Sequence, residues 1–579
     1  MKKFKYILIL SVFINFSCGE DVFELTPLDK ISDADVWDDP ALMRSYLTDV
    51  YQKLPFNNRL AQGRGTLDTR TDIGTTNVGN LNAETSGAVS RTLDARPFWR
   101  YDIVREINIF LERLVDADIP QMEKEQFEGE ARVLRAMVYY EKQVRYGGVP
   151  LVDVPLNPFE SIDEKYTVRS TEEQIADFID SDLSLAIPLL SENTRPLGRI
   201  NKWTAYAFKA RANLYSASIS KYGEVQINGL VGIPETRANE FYTKASNAAN
   251  AVIQSGKYEL FNQSDDKSEN YRLLFVTADN SEAILSKLYD GVTLSHQHNI
   301  HHLPPSIAGG HGAFSNPLYD YIVATEKIDG STDPPLIGPE YLYDYAYQAF
   351  EDRDPRIHAV VFFDGDVFAG YEIRTYEGID PSPDPNPDNI LSTYGETYNG
   401  IPQVAEDSRL MPFDDKSPRS GLMLKKNMSD DVFQAYVGTP WIELRLGEVY
   451  LIKAEAEFEL GNLDEAATAL NATRERAGIS LVNENTITLD HVRRERMSEL
   501  AWEEQRWWDL RRWRIAEEVL NIRTMQGLRT ILHYETGQYY FLPVDAEPFA
   551  RTFSPQHYYN PITDQRRNNN PDLLENPGY

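Results

Sequence analysis

The chain contains long segments in which apolar residues recur at helical spacing, and these segments come in pairs. In WIELRLGEVYLIKAEAEFELGNLDEAATALNATRERAG, the residues Leu444, Leu451 and Phe458 follow at seven-residue steps, which predicts an amphipathic helix. Gly461 and Asn462 end this helix, because glycine tolerates the left-handed backbone that follows helix termini. The alanine-rich segment after the turn predicts a second helix. Together they predict one helical hairpin of the tetratricopeptide type.

Similar segments occur upstream, without strict identity. WRYDIVREINIFLERL is followed by EGEARVLRAMVYYEKQVRYGG, STEEQIADFIDSDLSLAIPLL by NKWTAYAFKARANLYSASISKYG, and NEFYTKASNAANAVIQSGKYEL comes next. Each segment has an apolar stripe that it cannot cover alone, so stacking the hairpins buries the stripes in a shared core. The sequence therefore predicts a mainly α protein with a helical-hairpin scaffold at residues 40–55, 99–260 and 440–515.

The middle of the chain, about residues 261–439, has a different composition. It contains PSPDPNPDN, several glycine-rich turns and scattered tyrosines, which are typical of long loops and short strands. Loops of this length within a compact protein usually carry function. We expect a loop-rich, ligand-binding insertion within a single domain that spans residues 18–579.

The N-terminus, MKKFKYILILSVFINFSCGED, has the layout of a secretory signal. Three lysines precede an apolar stretch at residues 6–16 that is too short to span a membrane, since a span needs about 20 apolar residues. Cys18 is the only cysteine and has no partner for a disulfide or a metal site. We predict a signal peptide at residues 1–17 and lipid attachment at Cys18. The alternatives are an ordinary secretory signal and an uncleaved N-terminal segment.

The acidic balance of the chain excludes one class of partner. The chain has 89 acidic against 58 basic residues and a formal charge of −31. Loss of residues 1–17 removes three lysines and no acid, so the charge falls to −34. Nucleic-acid binding depends on lysine and arginine neutralising phosphates, so we predict no nucleic-acid partner. With 42% hydrophobic residues the chain can bury a large core.

Several segments, taken in order, resemble the RagB/SusD family of surface lipoproteins from Bacteroidetes. They are GEARVLRAMVYYEKQVRYGGVPLV (129–152), KASNAANAVIQSGKYEL (244–260), RRERMSELAWEEQRWWDLRRW (493–513), YYFLPVD (539–545) and NNNPDLLENPGY (568–579). The resemblance implies four tetratricopeptide-like helical pairs with a loop-rich part that holds the ligand. It also implies an oligosaccharide or polysaccharide ligand, a TonB-dependent transporter of the SusC type as partner, and no cofactor. Some members take peptides or other nutrients instead.

The resemblance further implies a location. Gly19, Glu20 and Asp21 after Cys18 are similar to the acidic tag that sends such lipoproteins to the outer face of the outer membrane. Several acyl chains would hold a soluble domain there without spanning the bilayer.

Glycan capture needs flat apolar faces beside groups that bond hydroxyls. The glycine-rich segment at residues 63–80 supplies candidates of the second kind, which are Asp68, Arg70, Asp72 and Asn77. The family uses this region for its binding face, so we expect these residues and Trp99, at the start of a helix, to contact the ligand. The alternatives are turn formation by the loop residues and core packing by Trp99.

Five of the nine histidines lie in SHQHNIHHLPPSIAGGH, at 296, 298, 301, 302 and 311. His296 and His298 would share one face of a strand, and with His301 they could hold zinc. The run contains no acid and the chain has no HExxH helix, so we predict no metal and expect His296 and His298 to line the ligand.

Tyr371 and Tyr376, in GYEIRTYEG, lie beside glycines and are predicted to stack on ligand. Tyr341 and Tyr345 are four residues apart, which predicts a buried stripe on a helix. RWWDLRRW distributes its tryptophans around a helix, which predicts core packing, with its arginines paired to Asp509 or Glu503.

The sequence contains no GxSxG, no P-loop and no dinucleotide fingerprint. We therefore predict a non-catalytic binding protein. Two alternatives stay open: a glycoside hydrolase, since any two of the many carboxylates could form a catalytic pair, and a protein-binding scaffold.

Replacement of the single thiol tests the predicted anchor. The Cys18→Ala variant should stay soluble and unacylated, because no other thiol can take the lipid. Metabolic labelling with a fatty-acid probe measures this, and a probe signal on the variant would contradict lipidation at Cys18.

Overall fold

The computed structural model describes residues 36–61, 65–78, 82–157, 159–309, 311–412 and 415–579. The predicted signal peptide at residues 1–17, Cys18 and the acidic tag lie outside these residues. The described part is mainly helical, as predicted, with short strands in the middle of the chain.

The described residues form seventeen α-helices. They are α1 Pro40–Gln52, α2 Ala83–Ser86, α3 Tyr101–Asp116, α4 Gln121–Tyr146, α5 Glu172–Ala186, α6 Lys202–Tyr222, α7 Ala238–Gln254, α8 Lys267–Val276, α9 His298–His302, α10 Tyr319–Ala324, α11 Ile357–Val360, α12 Leu446–Leu460, α13 Leu463–Ala477, α14 Leu489–Glu499, α15 Arg506–Arg512, α16 Ala516–Leu520 and α17 Asp564–Asn569. None of these helices is long and apolar enough to cross a membrane.

The same residues form thirteen strands. They are β1 Gly74–Thr76, β2 Ala283–Lys287, β3 Ser315–Pro317, β4 Val361–Phe362, β5 Val367–Phe368, β6 Tyr371–Glu372, β7 Ile379–Asp380, β8 Thr397–Tyr398, β9 Ile401–Pro402, β10 Met423–Leu424, β11 Trp441–Arg445, β12 Gln526–His533 and β13 Gln538–Asp545. Five antiparallel pairs form, β1–β3, β4–β10, β2–β11, β5–β6 and β8–β9. The hairpin β12–β13 adds β7 in parallel to give a three-stranded sheet.

The long helices form one continuous array. α3 packs on α4, α4 on α5, α5 on α6 and α6 on α7, and after residues 255–445 the array continues from α7 to α12, α13 and α14. The helical hairpin predicted after residue 441 forms as α12 and α13, which pack on each other. Gly461 ends α12 with φ of +85°, which is the left-handed conformation expected for it. The largest hydrophobic core lies along this array.

A buried network of ion pairs lies where β11 meets α14. Arg445 Nε donates to Glu503 Oε2 at 2.7 Å, and one of its terminal nitrogens donates to Glu282 Oε1 at 2.8 Å. Glu499 accepts from Arg445, from Arg476 and, at 2.7 Å, from Arg356. All six side chains are buried. Charges removed from water in this way are tolerated only when they are paired and hydrogen-bonded.

The RWWDLRRW segment packs in the core, as predicted. Trp507 and Trp513 are buried, and Arg512 donates to Asp509 Oδ1 at 2.9 Å. The Arg511 guanidinium carbon lies 3.2 Å from the centre of the Trp507 ring. Trp502 is buried as well but precedes α15, at a φ of +61°.

The prediction for Tyr341 and Tyr345 is wrong. No α-helix forms around these residues, and the Tyr345 side chain is 57% exposed. The Tyr345 ring stacks on Tyr347 with centroids 5.7 Å apart. Their four-residue spacing resembles a helical stripe, but the chain reaches only a short 3₁₀ turn at residues 346–350.

The buried network should dominate local stability. Glu499→Gln leaves Arg445, Arg476 and Arg356 with a buried partner that has lost its charge, so we expect the free energy of unfolding to fall by about 3–5 kcal/mol. Urea denaturation measures this.

Glu465→Gln is the matched control. Glu465 pairs with Lys453 at 2.8 Å, but its side chain is 58% exposed. An exposed pair contributes about 0–1 kcal/mol, and equal losses in the two variants would contradict a stabilising role for the network.

Candidate ligand-binding face

Two distant segments of the chain lie side by side. β1 pairs antiparallel with β3, with Thr75 opposite Asn316. The Asn77 amide donates to Phe314 O at 3.3 Å beyond the end of this pairing. The glycine-rich loop and the end of the histidine run therefore meet.

A third segment joins them. Asn77 Nδ2 donates to Asp415 O, and Arg419 Nε donates to Asn77 O at 3.0 Å. His301 and Phe314 stack beside these groups, with ring centroids 5.1 Å apart and an interplanar angle of 16°. Both rings are half-buried. We call Asn77, His301, Phe314, Asp415 and Arg419 the three-loop face.

A second exposed aromatic group lies on neighbouring loops. Tyr371, on β6, and Phe433 have ring centroids 6.3 Å apart in an edge-to-face arrangement. Phe433 is 84% exposed, Tyr436 53% and Tyr371 40%. We call these three residues the aromatic patch.

The short helix α9 connects the patch to the three-loop face. Asn299 Nδ2 donates to Ser429 O at 2.9 Å, and the Ser429 amide donates to Asn299 Oδ1 at 3.1 Å. His301 follows two residues later on the same helix. One helical turn thus carries His301 and is bonded to Ser429, in the segment that leads to Phe433.

Asp68 and Asp72 are placed differently from what the sequence predicted. Asp68 is fully buried, and its Oδ2 accepts from the Glu504 amide at 2.8 Å. Asp72 is buried and accepts two hydrogen bonds from Arg506, at 2.9 and 2.7 Å. These side chains connect the first loop to the segment before α15 and have little surface for a ligand, so in this structure they support the loop.

The electrostatics of the two carboxyls differ. Burial and the nearby Glu504 raise the pKa of Asp68 to about 8. Burial also raises the pKa of Asp72, but the Arg506 guanidinium outweighs it and the net shift is downward. Asp68 is therefore protonated at neutral pH while Asp72 is ionised.

Arg70 is mostly buried, and one terminal nitrogen donates to Thr66 O at 2.9 Å. Its Nε lies 3.6 Å from a Glu84 carboxylate oxygen. Of the four residues predicted in this segment, only Asn77 belongs to the three-loop face, where its side chain is buried and donates to the Asp415 carbonyl rather than reaching the surface.

His296 and His298 are also buried. Their Nε2 atoms lie 2.8 Å from Thr439 O and 3.1 Å from Lys426 O, respectively. Burial lowers the pKa of both, that of His298 to about 3, so both are neutral. They fix the loop that carries Phe433 rather than offering imidazoles to a ligand. The described residues contain no group of three or more histidine, cysteine or acidic side chains that could hold a metal.

The remaining predicted residues separate. Tyr371 is exposed on the aromatic patch, whereas Tyr376 is buried and donates to Pro402 O at 2.9 Å. Trp99 is half-buried at the start of α3, edge-on to Tyr146 at 5.1 Å. Phe314, Phe433 and Arg419 were missed, because only the β1–β3 pairing and the loop contacts bring them beside predicted residues.

Two family descriptions match the chain. The SusD family matches residues 298–579, and a family described as starch-binding and associating with the outer membrane matches residues 27–214. The helical array and the loop-rich part define the same class, and the chain belongs to the SusD/RagB family.

Individual proteins are similar along nearly the whole chain. SusD-like protein P38 of Formosa agariphila is 24% identical over 551 residues, which cover 90% of this chain and 94% of that one. A crystal structure of a SusD-like protein from Bacteroides fragilis superposes with a TM-score of 0.71 at 26% identity, covering 96% and 100% of the two chains. A SusD-like carbohydrate-binding protein from the same species gives 0.68 at 22% identity, covering 93% and 100%.

The raised pKa of Asp68 predicts a pH effect on stability. Between about pH 4 and pH 8 the folded state holds a proton that the unfolded state has released, so stability falls as the pH rises through this window. Asp68→Asn mimics the protonated carboxyl and should remove at least ~1 kcal/mol of this decline.

Urea titrations of both proteins at pH 5 and pH 8 measure the difference. Asp384→Asn, at an exposed position in the 381–389 loop, is the control. An unchanged pH dependence in Asp68→Asn would show that Asp68 ionises normally.

Proposed function

We propose that this protein captures oligosaccharides or polysaccharides at the outer face of the outer membrane and delivers them to a TonB-dependent transporter of the SusC type. The lipid on Cys18 would hold it there. Membership of the SusD/RagB family and the starch-binding, outer-membrane description of the matched family support this proposal. The proposed role is non-catalytic.

The chemistry of the exposed loops is the observation that carries the proposal. Sugar rings combine flat C–H faces with hydroxyl groups. The stacked His301–Phe314 pair and the exposed Phe433 ring offer apolar faces. Asp415, which is exposed, and Arg419, which is half-buried, lie beside the first pair and are of the residue types that bond sugar hydroxyls.

The loops are held in place before any ligand arrives. β1–β3 pairing, the Asn77 hydrogen bonds and the Asn299–Ser429 pair fix the rings through backbone groups. A preordered surface loses less conformational entropy on binding, which favours affinity for a flexible glycan chain.

Calorimetry against a panel of soluble polysaccharides tests the proposal. We expect binding to one glycan class, and Phe314→Ala and Phe433→Ala should each weaken it by roughly 2- to 12-fold, since an aromatic contact contributes about 0.5–1.5 kcal/mol. Chromatography of the same mixtures should show no shortened products.

Phe159→Ala is the matched control, because Phe159 is 94% exposed and belongs to neither the three-loop face nor the aromatic patch. It should bind as wild type. Absence of binding to every glycan, or equal effects of all three variants, would overturn the assignment of this face, and released products would favour a glycoside hydrolase.

A further inference from the structure

A cleft of about 500 Å³ opens at the start of α3, and none of its lining residues belongs to the three-loop face or the aromatic patch. Its walls come from the N-terminal turn of α3, the loop at residues 150–167 and the C-terminal tail. The side chains that the argument uses are Trp99, Tyr101, Arg105, Ile162, Tyr166 and Arg566.

The C-terminal tail forms one wall because buried hydrogen bonds hold it down. Arg169 donates to Gly148 O at 2.7 Å, to Leu574 O at 2.9 Å and to Asn576 Oδ1 at 2.8 Å. Asn570 Nδ2 donates to Thr167 O at 2.7 Å and joins the tail to the opposite loop. The cleft is therefore a fixed feature of the fold.

The walls are mainly apolar and carry only positive charge. Ten of the fifteen lining residues are aromatic, aliphatic or proline, two are arginines and none is acidic. Ile162 is 48% exposed and Val154 39%. In a chain with a formal charge of −31, a concave surface without a carboxylate is unusual.

The two arginines differ in whether their charge is already paired with a carboxylate. Arg566 lies 2.7 Å from Asp94 and 4.8 Å from the centre of the Trp99 ring, so its charge is largely matched and it covers one face of that ring. Arg105 is exposed and forms no ion pair with any described residue. Its guanidinium is available to an anion at the rim.

Trp99 is a poor platform for a sugar. Tyr101 and Tyr146 lie edge-on to it, at 5.5 and 5.1 Å, and Arg566 lies over a face. The cleft therefore differs in chemistry from the exposed rings of Phe314 and Phe433.

We propose that this cleft is a second binding site, for an aromatic carboxylate whose rings lie among Tyr101, Ile162 and Tyr166 and whose carboxylate pairs with Arg105. A volume of about 500 Å³ falls within the usual range for small-molecule pockets, which are mostly apolar with a few polar groups that set orientation. Guanidinium and carboxylate form two parallel hydrogen bonds, which favours an acid over its neutral analogue. This inference goes beyond the proposed glycan capture and does not depend on it.

Isothermal calorimetry and saturation-transfer NMR with 2-naphthoate test the site, with 2-naphthylmethanol as the neutral comparison. The mature protein should bind 2-naphthoate saturably and at least ~5-fold more tightly than the alcohol. Arg105→Gln should abolish this preference. Ile162→Asp should weaken the binding of 2-naphthoate by at least ~10-fold, because it places a carboxylate in the apolar wall.

Arg113→Gln, two turns further along α3, is the matched control and should bind as wild type. Thermal unfolding of each variant verifies folding. Absence of binding, equal affinity for the acid and the alcohol, or undiminished binding by both Arg105→Gln and Ile162→Asp would overturn the proposal.

Discussion

The buried ion pairs around Arg445 are the constraint on which the rest of the structure depends. Arg445 ends β11 and binds Glu282, before β2, together with Glu499 and Glu503 at the end of α14. The helical array and the loop-rich part meet at this point. Because an unpaired buried charge is costly, the backbone positions that pair these groups are strongly favoured over alternatives. The network therefore fixes how residues 255–440 are attached to the array.

The segment that follows Glu499 connects this network to the loop beside the three-loop face. Glu503 belongs to the network, the Glu504 amide bonds Asp68, and Arg506 pairs with Asp72. The loop that Asp68 and Asp72 hold runs directly into β1, whose pairing with β3 places Asn77 beside Phe314. The packing between this loop and the segment before α15 is tight, since a Cβ on Gly74 would lie 2.6 Å from the Trp502 ring.

Helical hairpins were predictable because they follow from local pattern. Each hairpin signal lies within one segment: apolar residues at helical spacing, small residues near a turn, and a glycine such as Gly461 at the turn. The structure forms helices where these signals occur, from α3 to α7 and from α12 to α14. The residues of the candidate ligand-binding face were harder to predict. Asp68, Asp72, His296 and His298 have side chains that suit both ligand binding and buried hydrogen bonding. Their hydrogen-bond partners lie between 128 and 436 residues away in the chain. The helix predicted at Tyr341 and Tyr345 was wrong for a different reason, because two tyrosines at helical spacing are not enough to form a helix.

The sequence by itself determined the fold class, the family and the kind of side chain available for binding, since periodicity, turns and motif order are properties of short segments. Only the tertiary structure decided which of those side chains are exposed, and which, like Asn77, are buried and hold the loops together. Asn77, His301, Phe314 and Arg419 come from three separate segments and meet through strand pairing and long-range hydrogen bonds. The cleft beside Arg105 likewise exists only because the C-terminal tail folds back onto the start of α3. Contacts between residues far apart in the chain leave no local pattern, so the sequence alone does not specify which groups share a site.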